Sequence, residues 1–262
     1  MVKIEQDSRR VATITLNRAD VHNAFNAELI AELTAALDEL AADPPRVLVL
    51  TGAGKSFSAG ADLDWMRGMA EAGEADNRAD AERLGAMFRK LDGLPCPTVA
   101  RVNGPAFGGG VGLLSCCDIA IAAESAKFGL TEVRLGLIPA TIAPFVIARI
   151  GAANARRYML TGERFDAAHA LEIGLVHECC EREELGECFE SVVDALLAGG
   201  PHAVAECKQL IRRVAGFEGG PSELDAITAD WIARLRVSEE GQEGLRAFLD
   251  KRKPEWMHEQ EH

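Results

Sequence analysis

Two short loops in this 262-residue chain consist mostly of residues with small side chains, and each follows a hydrophobic run. The first reads FSAGAD, residues 57–62, and the second reads FGGGVG, residues 107–112. Two backbone N–H donors that converge on one oxygen form an oxyanion hole, in which each donor is worth roughly 10²–10³ in rate. The two loops together therefore predict a site that stabilises negative charge on oxygen, although either loop alone could serve only as a tight turn.

Two nucleotide-binding motifs come close to matching these segments, and neither fits. LTGAGKSF contains Gly54, Lys55 and Ser56, but a P-loop requires glycine where this chain has Val49. The second loop has Leu113 at the third glycine position of the dinucleotide-binding motif, and it lies in the middle of the chain. The sequence argues against both kinds of nucleotide site.

The segments around the loops alternate between strand and helix patterns. An amphipathic helix is predicted at residues 28–43, with Asn26 as its cap, and a mixed helical stretch is predicted at about 77–91. Strands are predicted at residues 11–16, 46–51 and 98–104. This alternation indicates an α/β core, which we place at residues 1–200. The strand pattern then stops, and helices are predicted near residues 202–215, 222–236 and 239–250.

The composition excludes several classes of protein. The chain has 28 Lys and Arg against 41 Asp and Glu, a net charge of −13, which argues against nucleic acid or an anionic membrane surface as a partner. We find no apolar run of signal-peptide or membrane-spanning length and therefore expect a cytoplasmic protein. The seven cysteines lack a CxxC pair, which favours free, buried thiols over a metal site.

Five separated motifs, in their order and spacing, resemble the crotonase, or enoyl-CoA hydratase/isomerase, superfamily. They read FSAGADL, NGPAFGGGVGL, CDIAIAAESAKFGLTEVRLGLIP, LTGERFDAAHALEIGLV and FLDKRKPEW, and the resemblance extends from about Val11 to Trp256. It implies an α/β crotonase fold, a spiral of ββα repeats followed by a C-terminal helical region at residues 201–262 that forms homo-trimers or homo-hexamers. It also implies an acyl-CoA thioester substrate, with no metal and no cofactor beyond the CoA moiety.

The resemblance implies catalytic roles by position. The N–H groups of Ala61 and Gly109 would hold the thioester oxygen and stabilise its enolate, a task that such donors perform without a metal. Glu132 matches a catalytic glutamate of the family. Gly112 stands where typical hydratases of the family have their other catalytic glutamate. We expect the missing side chain to leave a small unoccupied space facing the reacting carbons of the acyl chain.

The resemblance also implies how CoA is bound. Adenine is expected beside backbone groups of Ala59 and Asp62, and a neighbouring subunit is expected to supply Phe248 and Lys251. Lys251 begins the densest cluster of positive charge in this acidic chain, which would attract a CoA phosphate. A solvated helix end is the alternative interpretation of that cluster. His22 could replace the basic residue that usually contacts the pyrophosphate.

For the acyl chain we expect contacts from Trp65, Met66 and Phe107, with Arg134 as a partner for a substrate carboxylate. The segments VGLLSCCDIAIA and LTEVRLGLIPATIAPF are most similar in sequence to those of bacterial methylglutaconyl-CoA and γ-carboxygeranoyl-CoA hydratases, whose substrates carry a carboxylate. The sequence therefore predicts a hydratase of a branched or carboxylated 2-enoyl-CoA. A Δ3–Δ2 enoyl-CoA isomerase with a single glutamate base and a non-catalytic acyl-CoA-binding homologue remain as alternatives.

Overall fold

The computed structural model describes residues 1–258 of the chain. Its strands are β1 (Val2–Gln6), β2 (Val11–Leu16), β3 (Val47–Gly52), β4 (Thr98–Val102), β5 (Ala106–Phe107), β6 (Ile119–Ala123), β7 (Lys127–Gly129), β8 (Arg164–Asp166) and β9 (Glu178–Cys180). The large sheet has the order β1-β2-β3-β4-β6-β9, and the small sheet has the order β5-β7-β8. Strands β2, β3, β4, β6 and β9 pair in parallel, whereas β1 pairs antiparallel with β2.

The helices connect the strands and then form the C-terminal part of the chain. They are α1 (Ala27–Ala42), α2 (Leu63–Glu71), α3 (Glu74–Gly93), α4 (Gly109–Cys116), α5 (Ala143–Thr161), α6 (Ala167–Glu172), α7 (Leu185–Ala198), α8 (Pro201–Ala215), α9 (Pro221–Arg236), α10 (Glu239–Leu249) and α11 (Glu255–His258). A long strand, a short strand and a helix follow one another as β4, β5, α4 and again as β6, β7, α5. This succession confirms the predicted spiral of ββα repeats. None of the helices in residues 1–258 is long and apolar enough to cross a membrane.

Strand β3 shows why the strands inside the large sheet read as continuous apolar runs in the sequence. All six of its residues are buried, because successive side chains of a strand point to opposite faces and both faces of this sheet are covered. Leu48 and Leu50 belong to the core cluster that includes α1 and α3, while Val47 and Val49 belong to the cluster that includes α7. The sheet is thus held rigidly between two helical layers.

The C-terminal region contains helices and no strand between residues 201 and 258, as the sequence predicted. Buried Lys208 of α8 attaches this region to the core, since its Nζ lies 2.7 Å from Asp118 Oδ2 and donates to the Cys96 carbonyl at 3.0 Å. Other apolar side chains of these helices are exposed, including Phe248 at 81%. Assembly through this region stays a prediction, and residues 259–262 lie outside the described part of the chain.

The seven cysteines are free thiols in a range of environments. Cys96, Cys116, Cys117 and Cys180 are buried, as the sequence predicted, and burial raises the pKa of Cys117 to about 12. Cys179 and Cys188 are half-buried, and Cys207 on α8 is exposed, so the expectation of a buried thiol is wrong for Cys207. The reason is that this cysteine lies on the outer, C-terminal helical layer rather than against the sheet.

Candidate active site

The two glycine-containing loops meet at one edge of the large sheet. Residues 57–62 follow β3 and residues 107–112 follow β4, and the carboxyl ends of neighbouring parallel strands lie side by side. The Phe107 N–H donates to the Ser58 carbonyl at 2.9 Å. The backbones approach so closely that a Cβ atom on Gly60 would lie 2.8 Å from the Phe107 carbonyl oxygen. Small residues are required here because the two loops touch through their main chains.

The N–H groups of Ala61 and Gly109 are unpaired within the described residues, whereas those of the adjacent Asp62 and Gly108 are bonded. The Asp62 N–H donates to the Phe25 carbonyl at 2.8 Å, and the Gly108 N–H donates to the Gly129 carbonyl at 2.9 Å. Gly109 is the first residue of α4, where an N–H has no partner inside the helix. Each of the two adjoining loops thus keeps an unpaired N–H for an oxygen atom of a ligand.

Glu132 lies in a 3-10 turn, Glu132–Leu135, three residues after β7. A Cβ atom on Gly108 would lie 2.9 Å from Glu132 Oε1, so the carboxylate is in contact with the second loop. Glu132 Oε2 is buried and has no hydrogen-bond partner among residues 1–258. Burial raises the pKa of this carboxyl group above its ordinary value. A carboxylate in this environment is suited to accept a proton.

Phe25 is a positioning residue that the sequence analysis missed. Its N–H donates to the Gly60 carbonyl at 2.6 Å, which pairs it with the first loop. Its ring lies under the second loop, where a Cβ atom on Gly109 would come within 2.6 Å of Phe25 Cε2. A single aromatic residue in HNAFNAE carries no signal of this role in the sequence. Phe25 therefore braces both N–H donors through tertiary contacts.

Gly108 offers a test of how the carboxylate is positioned. Its φ is 49°, and an added methyl group would press on Glu132 Oε1. We expect Gly108→Ala to lower kcat at least about tenfold, because a displacement of about 1 Å can cost about 10²-fold. Steady-state kinetics on an enoyl-CoA measures this loss. Gly174→Ala is the matched control, since Gly174 also has a positive φ of 75° but the nearest atom is 3.9 Å away. Equal losses in both variants would show that backbone strain alone is responsible.

Gly112 does not face an unoccupied space, and that expectation is wrong. The residue is buried on α4, and a Cβ atom there would lie 2.9 Å from Ile142 Cβ and 3.1 Å from Phe88 Cζ. Ile142, immediately before α5, fills the volume that a larger side chain would need. No space for a substrate group is present beside Gly112, whose role is to let α4 pack closely on these two side chains.

Hydrogen bonds within the protein limit which groups of Ala59 and Asp62 are available to bind CoA. The Ala59 N–H donates to the His22 carbonyl at 2.9 Å, and the Asp62 N–H is also paired. Neither backbone N–H is therefore available to adenine, and the Asp62 carbonyl already accepts from the Met66 N–H at 2.9 Å. The Asp62 carboxylate accepts from two N–H groups at the start of α2 and pairs with Arg18 at 2.9 Å. His22 is exposed, and its Nδ1 lies 3.0 Å from Ser56 Oγ.

Phe248 and Lys251 lie at the end of α10 and just beyond it, and both are exposed. Arg252, next to Lys251, pairs with Glu243 at 2.7 Å. The single chain therefore presents an aromatic ring and an ammonium group to solvent. Their contribution to a neighbouring subunit's CoA site stays a prediction.

Lys251→Ala is expected to weaken CoA binding and to flatten its salt dependence, because a screened charge pair would be removed. Calorimetric titration of CoA at low and high salt measures both quantities. Lys253→Ala, two residues away in the same exposed segment, is the comparison variant. Unchanged affinity at both salt concentrations in Lys251→Ala would leave this lysine as a solvated surface residue.

The candidates for the acyl pocket fall into two groups. Trp65 and Met66 lie half-buried on α2, and Phe107 lies half-buried in β5 with the Arg164 guanidinium 4.8 Å above its ring. These three residues lie in or immediately after the two loops. Arg134 is exposed and packs on the end of α5, where a Cβ atom on Gly162 would lie 3.1 Å from its Nε. The structure therefore gives no support for Arg134 as a carboxylate partner.

Two unpaired N–H donors near a half-buried carboxylate, one oxygen of which has no partner in the described residues, suit an enzyme that moves a proton while it stabilises an oxyanion. Within the described residues no three His, Cys, Asp or Glu side chains are grouped as metal ligands. The chain belongs to the enoyl-CoA hydratase/isomerase family, whose sequence model matches residues 6–259. It is accordingly an enzyme, and the hydratases that it resembles are hydro-lyases.

The similarity to known proteins extends over nearly the whole chain. The crystal structure of an enoyl-CoA hydratase from Shewanella pealeana has a TM-score of 0.92 and 44% identity, covering 97% of this chain and 95% of that one. The crotonyl-CoA hydratase of Syntrophomonas wolfei is 32% identical and covers 97% of each chain. The short-chain-enoyl-CoA hydratase of Clostridium acetobutylicum is 33% identical and covers 94% of each. The crotonase fold is thereby confirmed.

Proposed function

We propose that this protein adds water across the 2,3 double bond of a 2-enoyl-CoA with a branched or carboxylated acyl chain, of which 3-methylglutaconyl-CoA is representative. The observation that carries the proposal is Glu132 Oε2, a buried carboxylate oxygen with no partner among residues 1–258, close to the loop that holds the Gly109 N–H and adjoining the loop that holds the Ala61 N–H. The similarity of VGLLSCCDIAIA and LTEVRLGLIPATIAPF to the methylglutaconyl-CoA branch favours this acyl class. The relatives named above favour an unsubstituted short chain as the competing substrate.

The proposed reaction needs one carboxylate acting twice. Glu132 takes a proton from water while the water oxygen bonds to C3, and the electron pair of the double bond moves to give a thioester enolate. The Ala61 and Gly109 N–H groups hold the enolate oxygen, and donors of this kind lower such barriers by about 3–4 kcal/mol each. The protonated Glu132 then delivers its proton to C2. Its raised pKa makes the protonated form a more accessible intermediate state.

Isotope labelling tests this proposal. The enzyme is incubated in H₂¹⁸O with 3-methylglutaconyl-CoA, crotonyl-CoA and a 3-enoyl-CoA, and the products are analysed by mass spectrometry. Labelled 3-hydroxyacyl-CoA formed preferentially from 3-methylglutaconyl-CoA is the expected result. Label gained only from crotonyl-CoA would assign a short-chain substrate. Unlabelled 2-enoyl-CoA from the 3-enoyl thioester, without hydration of any substrate, would replace the proposal with an isomerase.

We also propose that the protein acts in the cytoplasm as a homo-trimer or homo-hexamer. The exposed apolar side chains of α8, α9 and α10 support assembly, among them Ile211, Ile232, Leu245, Phe248 and Leu249. A free chain would leave this apolar surface in water. Sedimentation analysis that finds a stable monomer would overturn the proposed assembly.

A further inference from the structure

Trp65 carries a buried polar atom whose hydrogen-bond partner is missing from the described residues. Its indole Nε1 is shielded from solvent and has no acceptor among residues 1–258. An indole nitrogen can only donate, and native structures rarely leave such a buried donor unpaired. The other tryptophan with a similar environment, Trp231, donates from Nε1 to Glu206 Oε2. The indole N–H of Trp65 therefore lacks an acceptor in the described residues, and a bound ligand would supply one.

The position of Trp65 limits what that ligand can be. Helix α2 begins two residues after Ala61, and Trp65, Met66 and Met69 form its half-buried face. Asp62 caps this helix by accepting from the Trp65 N–H, so the first helical turn is tied directly to the predicted oxyanion loop. The face that contains Trp65 thus continues the loop on which the thioester oxygen would be held. An acyl chain that extends from the thioester carbon beside that oxygen would pass along this face.

Neither the space expected beside Gly112 nor Arg134, the expected carboxylate partner, is available to a substrate carboxylate. The volume beside Gly112 is filled by Ile142, and Arg134 lies against Gly162. Trp65 Nε1 remains as a buried donor beside the loop. A donor bonded to an ionised oxygen is roughly twice as strong as one bonded to a neutral oxygen.

Building on the proposed function, we infer that Trp65 Nε1 donates a hydrogen bond to a carboxylate on the acyl chain and so selects carboxylated enoyl-CoA substrates. The methionines beside Trp65 supply apolar contacts that do not distinguish one acyl chain from another. The indole N–H supplies the discrimination, because an alkyl chain of the same shape leaves it unpaired.

The test compares two thioesters of similar shape in wild type, Trp65→Phe and Trp231→Phe. The pair is 3-methylglutaconyl-CoA and 3,5-dimethylhex-2-enoyl-CoA, in which an isopropyl group replaces the carboxylate. Trp65→Phe is expected to lower kcat/KM for the carboxylated thioester roughly 10- to 100-fold and to change the alkyl thioester by less than about threefold. Trp231→Phe, which removes an indole N–H from α9, should change neither. An equal loss on both thioesters in Trp65→Phe, or no loss on either, overturns the inference.

Binding of saturated thioesters separates this inference from the proposed reaction. Affinity for 3-methylglutaryl-CoA and 3,5-dimethylhexanoyl-CoA is measured calorimetrically, which requires no turnover. In wild-type protein labelled with ¹⁵N in the indole ring, 3-methylglutaryl-CoA should shift the Trp65 N–H proton downfield, and the alkyl thioester should not. An unshifted proton overturns the inference even if Trp65→Phe fails to fold. A shifted proton in a protein that hydrates nothing would retain the carboxylate contact and reject the hydratase.

Discussion

Replacing Glu132 with Gln is expected to lower kcat by roughly 10²–10⁴ while leaving CoA-thioester affinity nearly unchanged, since a positioned acid–base contributes about that much. The amide keeps the shape of the side chain but cannot take the proton from water. Glu132 Oε2 has no bonding partner within residues 1–258, so the change breaks no side-chain hydrogen bond there. Stopped-flow loss of the conjugated thioester absorbance measures kcat, and calorimetry with a saturated acyl-CoA measures affinity.

The pH dependence of kcat/KM is a second test of Glu132 as the base. Because burial raises the pKa of Glu132, the ionised base is lost as the pH falls through a value above the ordinary 4.5 of a glutamate. The acid limb of kcat/KM should therefore lie above 4.5 in wild type and disappear in Glu132→Gln. Wild-type turnover in the variant, or an unchanged acid limb, would assign the base to another group.

Gly112→Glu is expected to destabilise the protein rather than to restore the usual pair of carboxylates. Its Cβ atom would collide with Ile142 and press on Phe88, and such overpacking costs about 1–3 kcal/mol. Burying an unpaired carboxylate adds a further cost of about 1–3 kcal/mol or more. At about 2–4 °C per kcal/mol the melting temperature should fall by about 5 °C or more, measured by calorimetry.

The matched control is Gly186→Glu, which introduces the same side chain into a helix. Gly186 lies in the first turn of α7 with no atom within 4 Å of an added Cβ, so this variant should melt within about 2 °C of wild type. A Gly112→Glu variant as stable as the control would mean that Ile142 moves aside readily. The space expected from the sequence would then be available after all.

The strands and helices that were predicted from the sequence are those with a clear local pattern, whereas short elements such as β5, β7 and β8 were not predicted. Strand β2 agrees with the predicted bounds, and helix α1 has Asn26 as its cap, with the side chain accepting from the Leu29 N–H. Helix α2 was not predicted because its nine residues show no long apolar period; the helix is anchored instead by the cap at Asp62. Helix α3 begins at Glu74, three residues before the predicted start, since its first turn is polar and adds nothing to the apolar period.

The sequence by itself determined the family, the two loops and the carboxylate. Small residues that follow two apolar strands leave main-chain groups accessible, and the resemblance of the motifs to the family assigns roles to Ala61, Gly109 and Glu132 that stay predictions. Only the tertiary structure decided what surrounds them. Ile142, not a substrate group, occupies the volume beside Gly112. These partners come from segments far apart in the chain, and the packing of side chains across such segments leaves no periodic signal in the sequence.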